Sequence, residues 1–208
     1  MSRQSFSLAQ RLARRFLALD ATRQRVEALV AGNMLTRRAA EQMYEGLFLS
    51  AYTAFEGFLE ELFTGLLLSS DGLASSRRDV VPRIAVRSHR VAREVLHVPD
   101  RKYIDWLPYK YTLALAQRFL RGGRPFTNLS NTQKEHLTKC VTVRNVIAHK
   151  SRHSFKKFDQ QVIAGAPIPP IEKSPAGFLR GLFRISPAQT RYENFVSRLL
   201  EIAQFLAT

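Results

Sequence analysis

Tyr44, Leu47, Phe48, Ala51, Phe55, Phe58, Leu62 and Leu66 recur at helical spacings along one unbroken stretch. With 3.6 residues per turn, such a series falls on a single stripe; on a strand it would scatter over both faces. The stripe carries several aromatic rings, the side chains that bury most area, so the rest of the chain must fold around it. The spacing predicts a long helix capped by Thr36 and ending near Ser69-Ser70-Asp71-Gly72, with Arg37 and Arg38 in its first turn.

The same period marks a first helix over about 6–31, with Leu8, Leu12, Phe16, Leu19, Val26 and Val30 on its stripe and Gly32-Asn33 as its stop. A third helix over about 103–121 is entered through Trp106-Leu107-Pro108-Tyr109. The loop Arg121-Gly122-Gly123-Arg124-Pro125-Phe126 closes it, where Gly-Gly allows backbone angles closed to other residues. Ser130 or Asn131 caps a fourth helix over about 131–151. Ser186-Pro187 reads as the start of a last helix, striped by Tyr192, Phe195, Leu199, Ile202 and Leu206. The sum is an all-α chain, a single domain over 1–208 built as a bundle of about five helices. Two segments lose the period. Residues 71–102 are read as a basic arm inserted between the second and third helices, carrying Arg77, Arg78, Arg83, Arg87, Arg90 and Arg93, with Pro82, Pro99 and room for one short helix near 88–96. Residues 159–186 are read as a Pro/Gly-rich loop with room for two short strands.

Charge narrows the partners. Lys and Arg number 32 against 17 Asp and Glu, a formal net charge of +15. That favours a polyanion, and RNA is the partner expected. The apolar span Met43 to Leu68 contains Glu45, Glu56, Glu60 and Glu61, which argues against a membrane helix. One cysteine, Cys140, cannot form an internal disulfide, and no N-terminal run has the order of a signal peptide, so a cytoplasmic setting is expected.

Val143-Arg144-Asn145-Val146-Ile147-Ala148-His149 is the segment most suited to chemistry. It places an arginine, an amide and a histidine within one and a half turns, groups that can hold a phosphate and move a proton. Five positions rotate about 500°, so Arg144 and His149 leave a straight helix about 140° apart, while Asn145 and His149 share a face. Lys150, Arg152, Lys156 and Lys157 continue the basic run, and Arg121 and Arg124 flank the Gly-Gly turn; these are the RNA-backbone candidates. Glu56, on the aromatic helix, is the candidate to orient Arg144. His149 and His153 are four apart, but no glutamate between them and no cysteine cluster supports zinc, so no metal or cofactor is expected.

The segment from Val143 to His149 resembles the Arg-x(4–6)-His signature of the HEPN superfamily, with Asn145 in a position that is often polar there. Ala51-Tyr52-Thr53-Ala54-Phe55-Glu56-Gly57-Phe58-Leu59-Glu60-Glu61-Leu62-Phe63 is similar to the aromatic helix of prokaryotic HEPN proteins of the RiboL-PSP type. Trp106-Leu107-Pro108-Tyr109 and Gly123-Arg124-Pro125-Phe126 also look like that group. The resemblance spans about residues 35–205. It implies a helical bundle that dimerises, with the Arg144–His149 helix at the interface. It also implies metal-independent RNA cleavage, in bacterial defence or beside an antitoxin protein. Catalysis would rest on His149 as proton carrier, Arg144 on the phosphorane oxygens, and Asn145 fixing the imidazole or touching the phosphate. Some members of the family only bind, so an inactive RNA- or protein-binding module is the alternative.

Overall fold

The computed structural model describes residues 3–69, 73, 80–97 and 104–208. Among them are eight α-helices: α1 (Arg3–Ala31), α2 (Arg37–Leu66), α3 (His89–Leu96), α4 (Tyr109–Phe119), α5 (Asn131–His149), α6 (Arg152–Phe158), α7 (Pro175–Arg180) and α8 (Arg191–Ala207). One small hairpin pairs β1 (Leu182–Arg184) with β2 (Gln189–Thr190). The protein is all-α, with eight α-helices among the described residues and not about five.

The long helices follow their stripes. Every member of the α2 series from Tyr44 to Leu66 is buried. The Thr36 hydroxyl accepts from the Ala39 amide at 3.2 Å, which satisfies one of the amides that a helix start leaves unpaired. Asn33, left-handed at φ 54, turns the chain between α1 and α2. Tyr192, Phe195, Leu199, Ile202 and Leu206 are buried along α8.

The additional helices have local causes. α5 stops at His149, not near 151, because Lys150 adopts φ 47. Ser151 and Ser154 then cap each other's amides, and α6 begins. The segment read as a loop from 159 holds a π-helical turn (Asp159–Ile163) and α7. α7 starts at Ser174-Pro175, whose serine hydroxyl accepts from the Gly177 amide at 3.0 Å. Ser186-Pro187, expected to start the last helix, lies instead between the two hairpin strands. α8 begins at Arg191, behind a reciprocal cap. Glu193 Oε2 accepts from the Thr190 amide at 2.7 Å, and Thr190 Oγ1 accepts from the Glu193 amide at 3.2 Å.

The chain divides into two compact units. The first comprises residues 1–12, 55–137 and 200–208. In it the Phe63 ring packs 5.4 Å from Trp106 and 5.1 Å from Phe126. Tyr109 Oη donates to the Phe126 carbonyl at 2.9 Å, and burial pushes its phenol well up. The basic arm, where described, is tied down by backbone pairing: Val86 to Leu67 and Ser69, Arg83 to Phe119, and Arg121 to Val81. Arg77, Arg78 and Pro99 lie outside the described residues.

The second unit comprises residues 13–54 and 138–199. Its core joins Phe48, Phe195, Phe178 and Phe158 through edge-on ring contacts, and Tyr44 meets Tyr192 edge-on at 5.7 Å. Arg23 is buried there at 9% exposure. Asp20 accepts from it at 2.7 Å and Glu193 at 2.8 Å, which offsets the cost of removing a guanidinium from water. The buried Tyr44 hydroxyl lies close to Arg23 and Glu27 but makes no hydrogen bond of normal geometry.

Candidate active site

Helix α5 fixes the segment from Val143 to His149 by burying one side of it. Cys140, Val143, Val146 and Ile147 are all buried. Arg144 and Asn145 are therefore left half-buried beside the core, and Ala148 and His149 are exposed at the helix end. Cys140 sits fully inside, and burial pushes its thiol up, away from the reactive thiolate.

Arg144 Nη1 donates to Asn145 Oδ1 at 3.2 Å. The long side chain thus curls back on its neighbour, and the amide serves the guanidinium. Fixing the imidazole or touching the phosphate is the role expected of Asn145; among the described contacts its side chain accepts from Arg144. One bond to Asn145 leaves the other donors of the fork available to an oxyanion.

His149 is the last helical residue, and the chain turns immediately after it. The Lys150 amide still donates to the Val146 carbonyl at 3.1 Å. Lys150 Nζ lies 3.2 Å from Glu45 Oε2, so this lysine is partly neutralised by an acidic neighbour on α2. Arg152, Lys156 and Lys157 are exposed on α6. Arg152 and Lys156, four apart, share one face of that helix.

The remaining candidates lie on other elements of the chain. Arg121 and Arg124 are exposed in the first unit, at the turn where Gly122 and Gly123 take φ 65 and φ 67. Backbone pairing sets Arg121 against Val81 of the arm and Arg83 against Phe119, a juxtaposition that no sequence spacing reveals. Glu56 is half-buried on α2. The side chain bonded to Arg144 is Asn145. Among the described residues, no three His, Cys, Asp or Glu side chains gather as a metal site requires. No helix among the described residues is long and apolar enough to cross a membrane.

The arrangement offers a guanidinium steadied by an amide, an accessible imidazole on the same helix, and a short basic helix directly after it. Those groups can bind a phosphodiester and transfer a proton. Comparisons with protein-family models, with curated proteins and with solved structures return no match to this chain.

Proposed function

We propose that the chain is a metal-independent endoribonuclease of HEPN type, acting in bacterial defence or as the toxin of a toxin–antitoxin pair. The observation that carries this reading is the clustering on α5: Arg144 bonded to Asn145, with His149 exposed at the helix end and three exposed cations on α6. The resemblance of residues 143–149 to the Arg-x(4–6)-His signature adds to it.

The chemistry is a transesterification. The ribose O2′ loses its proton to His149 and attacks the adjacent phosphorus. The P–O5′ bond breaks, O5′ takes up a proton, and a 2′,3′-cyclic phosphate remains. Arg144 stabilises the charge that grows on the non-bridging oxygens, an effect largest where the donor is already in place. Asn145 holds that guanidinium. Pairing of two copies across α5 would set two histidines in one cleft, one to take the proton and one to give it.

Cleavage of RNA in EDTA by wild type and by His149→Ala tests this. The wild type should leave cyclic phosphate ends, and the variant should bind RNA without cutting it. Cutting at the wild-type rate by His149→Ala would overturn the mechanism. The second reading, a module that binds RNA or protein without catalysis, is favoured by one feature: Arg144 and His149 leave the helix about 140° apart. Folded wild type that binds RNA and never cuts it would select that reading.

A further inference from the structure

A cleft of about 290 Å³ opens in the first unit, lined by Ser7, Leu8, Arg11, Glu61, Gly65, Leu68, Leu73 and His89. It shares no residue with the Arg144–His149 segment. Its histidine is held in one definite state. Thr64 is fully buried, and its hydroxyl has one proton to give. The Glu60 carbonyl, 2.7 Å away, can only accept, so it takes that proton. The same hydroxyl oxygen lies 2.9 Å from His89 Nδ1 and must therefore accept there. Nδ1 carries hydrogen, and Nε2 is left to the cleft, where the imidazolium form donates to an oxyanion.

The arginine is held as well. Glu61 pairs with Arg11 from one side. A single carboxylate occupies only part of a five-donor fork, and the remaining N–H groups can serve a second acceptor. Leu8, Leu68 and Leu73 supply the apolar part of the lining. At Gly65 an added Cβ would come within 2.8 Å of the Leu73 side chain, so the wall is closely packed there.

From this geometry we infer that the cleft binds a phosphate monoester. Arg11 and His89 take the phosphoryl oxygens, and the leucine wall takes the organic group. Imidazole and guanidinium reach the cleft from separate elements, α3 and α1, and Ser7 also lines it. Donors from separate elements suit a tetrahedral oxyanion better than a flat carboxylate, which one fork can hold alone. The monoester can be a small molecule or the phosphorylated end of an RNA. In both cases the site is independent of cleavage at His149.

The test uses the full chain, with the His89 ring nitrogens followed by NMR. Phenyl phosphate should move the His89 signals and bind more tightly than inorganic phosphate, because only the former reaches the leucines. Arg11→Gln and His89→Gln, both at exposed positions, should each weaken phenyl phosphate about tenfold or more, roughly the loss of one charge-assisted contact. A short RNA bearing a 5′-phosphate is then compared with its 5′-hydroxyl twin. A preference for the former that Arg11→Gln removes identifies an RNA end as the source. No preference, with the phenyl phosphate response intact, identifies a small ester. A His89 signal indifferent to phenyl phosphate, or both variants binding like wild type, would overturn the proposal. His149→Ala should leave these results unchanged, so failure of the cleavage reading and failure of this one are separable.

Discussion

Arg180 grips Glu27 with both edges of its fork, Nε to Oε1 and Nη2 to Oε2, each at 2.9 Å. Bidentate pairs of this kind are the stronger ion pairs. The guanidinium hydrogen bonds hold the Glu27 carboxyl below its ordinary value, against a smaller opposing effect of burial. A carboxylate with a lowered folded value stabilises above its unfolded titration range, and that contribution disappears as pH falls through the folded value. Glu27→Gln should therefore cost about 1 kcal/mol at pH 7, a modest figure because a third of the carboxylate side chain is exposed. Wild type and variant should differ at pH 7 and converge at a pH below the folded value. Thermal melts at both pH values check this; an equal gap at the two would sink the assignment.

Gly122 and Gly123 both sit at positive φ, but their surroundings differ. A Cβ at Gly122 would meet nothing within 4 Å, whereas one at Gly123 would lie 2.7 Å from Thr127 Cγ2. Gly122→Ala should cost about 1 kcal/mol for backbone strain alone, and Gly123→Ala about 2–3 kcal/mol. Urea unfolding of the two variants gives the ordering, and a reversed ordering would contradict this turn.

On the proposed cleavage reaction, Asn145→Ala frees Arg144 from its only described side-chain hydrogen bond. The rate should fall roughly tenfold, with the loss in kcat greater than that in KM, because positioning of a transition-state contact is what is removed. Asn145→Asp should retain more activity than Asn145→Ala, since it still accepts from the guanidinium. Equal rates for Asn145→Ala and wild type would show that the bond does not matter to the reaction.

Ser151 caps α6 by accepting from the Ser154 amide at 3.1 Å. Ser151→Ala should cost about 1 kcal/mol, felt locally. Faster amide exchange across Arg152–Phe158, with exchange in α8 unchanged, is the expected pattern. Unaltered protection in α6 would mean that packing of Phe158, not the cap, holds this helix.

How far the sequence is legible depends on how local each cause is. The stripes of α2 and α8 are readable because a buried face repeats every turn, and each residue on them is buried. The short helices are harder. Ser174-Pro175 and Ser186-Pro187 are the same dipeptide, yet one starts α7 and the other lies in the hairpin connection. The residues downstream separate them: Ala176 to Leu179 find a core, while Ala188 is exposed and Gln189 half-exposed. A cap signal cannot tell which neighbour has an interior to enter. Thr190-x-x-Glu193 is a readable signature for the true start of α8, though the proline outweighs it on the page of the sequence. At the candidate site, the exposed end of α5 can be read from spacing. The bond from Arg144 to the adjacent Asn145 cannot, because it depends on how a long side chain folds back. The His89–Thr64 contact joins residues 25 apart in sequence, and no periodicity points to it.

Lys150 is a hinge pin made from a single residue. Its left-handed backbone, not a flexible linker, sets the direction in which α6 departs from α5, and its side chain is moored to Glu45. The spacing between the imidazole and the cations after it is thereby a fixed dimension of the molecule. Deleting one residue at this point would redirect α6, and with it Arg152, Lys156 and Lys157, relative to His149. On the proposed reading, a ruler for successive phosphates would then carry its marks on the wrong edge.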